Sequence, residues 1–294
     1  MHNHDHAESK KFWILIFLNG GITLFEVVVG FVAGSLALVA DALHNLSDVG
    51  ALGLSFWTKN LGKRSSDEKH TYGYKRAEIL AALVNALVLI GISVLVIREA
   101  IERFFSPTET SALGMTLVGL VTFVANGLSS FLLHQDAKES LNMRSSYLHL
   151  LSDAFFSLAV ATGGIVMWLL PSATWIDPLL STFIALWMMR ESWKVVKQTV
   201  EILMQAAAPL DYEKMRQAIE KVPGVKNIHH VHTWRSDEHT IYLEAHIEMD
   251  DRNLSEACEI GKRVEQELFE FGIAHVTLQY ETDRCQEKSF FVKK

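Results

Sequence analysis

Leu43-His44-Asn45-Leu46-Ser47-Asp48 and Leu148-His149-Leu150-Leu151-Ser152-Asp153 are one hexapeptide with a single change, and each copy sits inside a long apolar stretch. On a helix, a His and an Asp four residues apart share a face, one turn from each other. His44 and Asp48 with His149 and Asp153 therefore offer two imidazoles and two carboxylates, a donor set for one divalent cation. Asp41 lies on the same face as His44 and Asp48. An ionisable group inside a membrane is expensive, about 2.5–3.5 kcal/mol for Asp at mid-helix. A single polar residue there is readily explained by a hydrogen bond between helices. The same pair at the same spacing in two apolar segments points instead to a site.

Two nitrogens and two carboxylate oxygens in a tetrahedron suit Zn²⁺. Two carboxylates also neutralise the ion, so the loaded site carries no net charge at membrane depth. No apolar segment holds a Cys, which argues against Cu(I) and, less strongly, against a site tuned for Cd²⁺. Empty, such a site holds carboxylates in a poor dielectric and imidazoles that titrate near neutral pH, so protons and metal compete for the same groups. That competition is a physical basis for metal/proton antiport. Ser47 and Ser152 repeat as well, but helical spacing turns them away from the His/Asp stripe, and they are assigned to packing.

The elements that must hold this site are membrane helices. The chain has 294 residues, 49% of them hydrophobic, with the apolar character concentrated in the first two thirds. Six stretches approach the roughly 20 apolar residues of a span: about 12–32, 36–58, 79–97, 113–133, 147–170 and 176–196. The first lacks the small-residue cleavage site of a signal peptide and is expected to be retained. Lys and Arg gather before the first span, in 59–76, at Lys138 and Arg144, and after the sixth, whereas the short links at 33–35 and 171–174 carry none. The positive-inside rule then places both termini in the cytoplasm. A formal charge of −7 argues against nucleic-acid binding, and two cysteines, Cys258 and Cys285, make no disulfide framework.

From about Pro209 the pattern becomes that of a soluble domain. Asp211 is a good N-cap for a helix running to Val222, 225–235 and 240–249 alternate as strands, Ser255 is expected to cap a second helix, and 273–281 is a third strand. The order is α-β-β-α-β, a small metallochaperone-like α+β domain. The expected division is a His-containing tail (1–11), a six-helix transmembrane domain (12–206), a cytoplasmic α+β domain for dimerisation and metal binding (207–283) and a loose tail (284–294). Thirteen histidines is a high count and suggests metal. Alternation puts His230, His232 and Trp234 on one sheet face with Glu244, His246, His275 and Glu281. That face is either solvated, a dimer contact, or one or two metal sites stabilising a dimer, with Cys258 or Glu259 able to approach from the second helix. His2, His4 and His6 form either a flexible polar start or a low-affinity zinc trap.

In this six-span frame the residues resemble the cation diffusion facilitator family over nearly the whole chain. The run 35–44, ending Ala40-Asp41-Ala42-Leu43-His44, is similar to the family's second-helix motif; Tyr72-Gly73-Tyr74-Lys75-Arg76-Ala77-Glu78 is similar to its loop into the third helix; Asp177-Pro178 matches the entry to the sixth. His44 at the first position of its pair is similar to the zinc-transporting branch, since members that move iron or manganese more often carry Asp there. The resemblance implies a homodimeric exporter of divalent metal, zinc first, out of the cytoplasm in exchange for protons by alternating access. It implies regulatory metal ligands at His230, His246 and Glu281, with His232 next. His70 matches the first ligand of a loop site found in some members, but Tyr74 stands where the second would be. The short segment 134–143, without a His-rich loop, favours a bacterial inner-membrane protein. Broader Cd²⁺/Co²⁺ efflux is one alternative. A membrane-anchored zinc sensor is another, although an anchor would not need the quartet. A metal-dependent hydrolase is a third; it lacks a nucleophile or oxyanion group beside the quartet, so the chain is expected to be a transporter and not an enzyme.

Overall fold

A computed structural model of the protein describes residues 20–62, 64, 66–134, 141–285 and 288–291. The histidines at 2, 4 and 6, the start of the first span and most of the 134–143 segment lie outside the described residues. The chain divides into two compact units, residues 1–57 with 81–196 and residues 58–80 with 197–294.

The first unit is built from α1 (Gly20–Ala33), α2 (Leu36–Gly62), α3 (Arg76–Phe105), α4 (Ala112–Leu133), α5 (Leu141–Leu169) and α6 (Ile176–Leu203); the C-terminal ends of α2 and α6 and the start of α3 belong to the second. These are the six expected helices. By length and composition α3, α4 and residues 146–169 of α5 are long and apolar enough to cross a membrane. The others fall short for identifiable reasons. The described part of α1 is short, α2 is diluted by Asp41, His44 and Asp48, and α6 carries Arg190, Glu191 and Lys194 in its second half. Large apolar side chains stay exposed along α3 (Val84, Leu87, Val88, Val94, Leu95), as expected of a surface that meets hydrocarbon rather than water. The interior is filled by Leu38, Met115, Val160, Ile184 and Met188.

Two local features fix the helices that carry the repeats. Gly34 adopts φ +66° in the turn between α1 and α2, a conformation open to Gly at little cost. A Cβ on Gly119 would lie 2.8 Å from the backbone nitrogen of Ala161, and one on Gly164 would lie 2.7 Å from that of Thr116. Small residues thus let the backbones of α4 and α5 touch, the usual means of helix association in lipid.

In the second unit, α7 (Tyr212–Glu220), β1 (Val225–Arg235), β2 (Ile241–Met249), α8 (Leu254–Glu270) and β3 (Ile273–Glu281) follow in the predicted order. The sheet runs β1-β2-β3, with β1 antiparallel and β3 parallel to β2. Met215 and Ile219 of α7 and Ala257, Ile260, Val264 and Leu268 of α8 pack with Ile228, Leu243, Ala245 and Ile247 of the strands into one apolar core. Asp211 caps α7 as expected. The cap of α8 is Asn253 and not Ser255: the Asn253 side chain accepts from the Glu256 amide at 3.0 Å, so the helix begins earlier.

Strand β1 departs from plain alternation. Its register shifts between His229 and His232, and His230 sits at φ +57°. A bulge of this kind turns side chains away from the face that strict period-two counting assigns. The segment after β3 fills in at the bulge: the His230 and Val231 amides donate to the carbonyls of Ser289 (3.2 Å) and Phe290 (2.8 Å). The expected loose tail is therefore tied to the sheet at residues 289 and 290.

Candidate metal centres

The N-terminus of α2 is held by a residue from another helix. Asp177, fully buried at the start of α6, accepts from the amides of Leu36 (2.9 Å) and Ala37 (3.1 Å) and from the Ser35 hydroxyl (2.6 Å). A carboxylate on those orphan amides is favoured by both hydrogen bonding and the helix dipole. Arg103 of α3 stands 3.9 Å from the same carboxylate and donates to the Gly34 carbonyl at 2.6 Å. One end of α2 is thus tied to α3 and α6.

Farther along α2, the two repeats meet. His149 Nε2 lies 3.1 Å from Asp48 Oδ2 and 3.5 Å from Asp153 Oδ2; His44 Nε2 lies 3.5 Å from Asp153 Oδ1 and 3.7 Å from Asp48 Oδ2. The two rings are 5.8 Å apart, edge to face. Donor atoms of His44, His149 and Asp153 lie within 4.8 Å of one another, and Asp48 joins them through its contacts with both imidazoles. In a tetrahedral zinc complex with bonds of about 2.0 Å, neighbouring N and O donors stand about 3.3 Å apart. Asp153 is buried while the His149 and Asp48 side chains are 47% and 35% exposed, so the group is reached from the protein surface on that side. Ser47 donates to Asn85 of α3 and Ser152 to the Leu148 carbonyl, which keeps both hydroxyls in packing roles.

Behind the quartet is a buried polar group that the repeat alone does not reveal. Asp41 accepts from Ser157 of α5 at 3.1 Å. Glu26 of α1, also fully buried, accepts from Asn45 (3.2 Å) and Thr122 (3.4 Å). The sequence did carry the signal: Glu26 is an acidic residue in the middle of the first apolar run, and such a residue is a functional candidate by default.

A second group of donors forms in the sheet domain. His229 Nε2 lies 2.8 Å from Glu281 Oε1, His246 Nδ1 lies 3.3 Å from Glu281 Oε2, and Cys285 Sγ lies 3.5 Å from His246 Nδ1 and 3.4 Å from Glu281 Oε2. One donor atom from each of the four falls within 4.8 Å of the others. Two of the expected residues, His246 and Glu281, are in this group. His230 and His232 are not. The bulge hands the ligand-facing position to the fully buried His229, while His230 stacks on the His246 ring at 4.6 Å and His232 lies beside His230 at 5.7 Å. Cys258 is exposed and Glu259 pairs with Lys262, so neither approaches from α8. Burial lowers the His246 pKa, a shift toward the neutral imidazole that a metal needs. Burial alone would raise Glu281, but the Cys285 hydrogen bond and the two imidazoles hold it below its ordinary value.

The loop before α3 takes another course. His70 and Tyr74 both address Asp67: Tyr74 donates to Oδ2 at 2.5 Å, and His70 Nδ1 lies 3.3 Å from Oδ1. With the Tyr74 hydrogen bond as the main cause, followed by the His70 and Lys69 amides, Asp67 is pushed down to about 2. His70 is thus engaged in a loop turn with a phenol where a second imidazole would be needed.

Known proteins match this architecture in order. The cation efflux transmembrane domain matches residues 12–204 and the cation efflux protein cytoplasmic domain matches residues 207–283. A cadmium, cobalt and zinc/H(+)-K(+) antiporter of Bacillus subtilis is 35% identical over 96% of this chain and 92% of its own length. The metal cation efflux system protein CzcD of Cupriavidus metallidurans is 32% identical, covering 97% and 91%. The zinc transporter ZitB of Escherichia coli is 33% identical, covering 97% and 93%. With both halves matched and relatives aligned nearly end to end, the chain belongs to the cation diffusion facilitator family of cation efflux proteins.

Proposed function

We propose that the protein exports divalent metal, zinc first, from the cytoplasm in exchange for protons by alternating access, and that His44, Asp48, His149 and Asp153 carry the metal. The observation that carries this is the convergence of two His/Asp pairs from α2 and α5 at 3.1–3.7 Å. Metal bound there is cargo: the quartet binds it when deprotonated and releases it when protons return, so a secondary-active cycle needs no other chemistry. The names of the relatives support the same direction and, through the cadmium and cobalt in one of them, favour a set of borderline ions over zinc alone. We further propose that the chain lies in the cytoplasmic membrane as six spans (12–206) with both termini inside, that the 207–283 domain dimerises two copies, and that this domain holds regulatory zinc through His229, His246 and Glu281, in place of the His230 and His232 that the family resemblance implied.

Purified protein in liposomes loaded with a pH dye tests the cycle. Adding Zn²⁺ outside is expected to drive zinc uptake with matching proton release, and His149→Ala is expected to remove both. Zinc uptake without proton movement overturns proton exchange. Undiminished uptake by His149→Ala overturns the quartet as the transport site, and wild-type protein that moves no zinc leaves the sensor reading in its place.

A further inference from the structure

We propose that Cys285 is the fourth ligand of the centre in the sheet domain, as a thiolate, and that a divalent ion held by His229, His246, Glu281 and Cys285 clasps the segment after β3 onto the sheet. The inference rests on the reading of this cluster as a metal centre.

Distance is the first support. With metal–sulfur bonds of about 2.3 Å and metal–nitrogen or –oxygen bonds of about 2.0 Å, the edges of a tetrahedron are about 3.5 Å from S to N and about 3.3 Å from N to O. Cys285 Sγ stands 3.5 Å from His246 Nδ1, and His246 Nδ1 stands 3.3 Å from Glu281 Oε2. The second support is an orphaned pair. His229 Nε2 and Glu281 Oε1 approach to 2.8 Å without hydrogen-bond alignment, and both atoms are buried with no other partner. Buried polar atoms in that state are costly, and a cation bound by both satisfies them. The third is the path of the chain. Asp283 adopts φ +52°, Lys288 is gripped by Glu248 (2.7 Å) and Asp283 (2.8 Å), and Ser289 and Phe290 bond to the bulge of β1. Cys285 lies between these anchors, so its ligation fixes a segment that is already folded back.

The charges balance. Two neutral imidazoles, one carboxylate and one thiolate leave a divalent ion neutral. On binding, the thiol S–H bond breaks, its proton passes to water and the sulfur lone pair forms the metal–sulfur bond, with no change of oxidation state. Four protein donors make a closed, structural type of site, in contrast to the quartet in the spans, whose cargo must leave. Sulfur also tilts the site toward zinc, cadmium or cobalt and away from magnesium or manganese.

Full-length protein in detergent, titrated with Co²⁺, tests this directly. Wild type and Cys258→Ser are expected to show thiolate-to-cobalt charge-transfer absorption in the near ultraviolet, and Cys285→Ser is expected to lose it and to bind at that centre at least about tenfold more weakly. Cys285→Asp restores an anionic ligand without sulfur, so it is expected to regain affinity without the band. Zn²⁺ should also slow alkylation of Cys285 while leaving that of the exposed Cys258 unchanged. A band that persists in Cys285→Ser, or one missing from wild type that does bind cobalt through His229 and His246, overturns Cys285 as a ligand and leaves the metal centre standing. If the paired His229→Ala and His246→Ala variant binds as many ions as wild type, the metal centre itself fails.

Discussion

At the scale of single residues, the proposed membrane site rests on side chains with few substitutes. His44, Asp48, His149 and Asp153 were all legible from one repeated hexapeptide, because the i, i+4 rule on a helix is local and survives any packing. Glu26 was equally visible as an acid in an apolar run, but nothing local says what it meets. Its partners come from α2 and α4. Glu26→Ala opens a cavity beside Asn45 and takes away the acceptor of its side-chain amide, while Thr122 keeps the Val118 carbonyl at 2.8 Å, and is expected to destabilise the membrane unit by about 1–3 kcal/mol. Glu26→Gln keeps an oxygen acceptor and the same volume, and is expected to recover most of that loss. Thermal unfolding of the two variants in detergent separates them: equal midpoints for Ala and wild type would mean that Glu26 holds nothing together.

At the scale of elements, position is set by contacts that composition hints at without fixing. The six helices and three strands fall where apolar runs and alternation put them, with ends shifted by a cap here and there, as at Asn253. The close approach of α4 and α5 is different in kind. Gly164 reads as a weak helix residue, but its role is to admit the Thr116 backbone at a distance where any Cβ would clash. The helix held by this contact, α5, also carries His149 and Asp153. Gly164→Val is expected to cost about 1–3 kcal/mol through overpacking and to lower zinc flux strongly without touching a ligand. Flux within a few per cent of wild type would show that α5 does not need this contact to place its pair. The β1 bulge is the corresponding device in the sheet domain. It takes His230 out of the donor group and puts His229 in, a change of one residue that no alternation rule anticipates.

For the whole molecule, the two halves have different tasks and different ways of meeting them. The membrane unit exposes large apolar side chains around an interior that is also apolar and encloses a few buried polar groups, whereas the sheet domain buries its apolar core and gathers a cluster of candidate metal donors. If that cluster holds zinc, ligand binding to the folded state alone stabilises the domain by about 2.7 kcal/mol at a hundredfold excess over Kd. Zinc is then expected to raise the unfolding midpoint and to slow hydrogen exchange in β1, β2 and β3, with both effects reversed by a chelator. The paired His229→Ala and His246→Ala variant is expected to show neither change. A zinc effect of the same size in that variant would place the stabilising ion elsewhere.

The sequence by itself determined the apolar runs of the helices, the order of elements in the sheet domain and the two His/Asp pairs proposed as membrane ligands. These depend on hydropathy, period or spacing along the chain, which are local quantities, and the motifs beside them carried the family resemblance. Tertiary structure alone decided that Asp177 of α6 caps α2, that Glu26 and Asp41 lie together behind the quartet, and that His229 and Cys285, rather than His230 and His232, join His246 and Glu281. Those facts depend on which buried polar group finds its partner across the fold. Partners more than a hundred residues apart, or a bulge that moves one side chain across a sheet, leave no periodic trace in the chain.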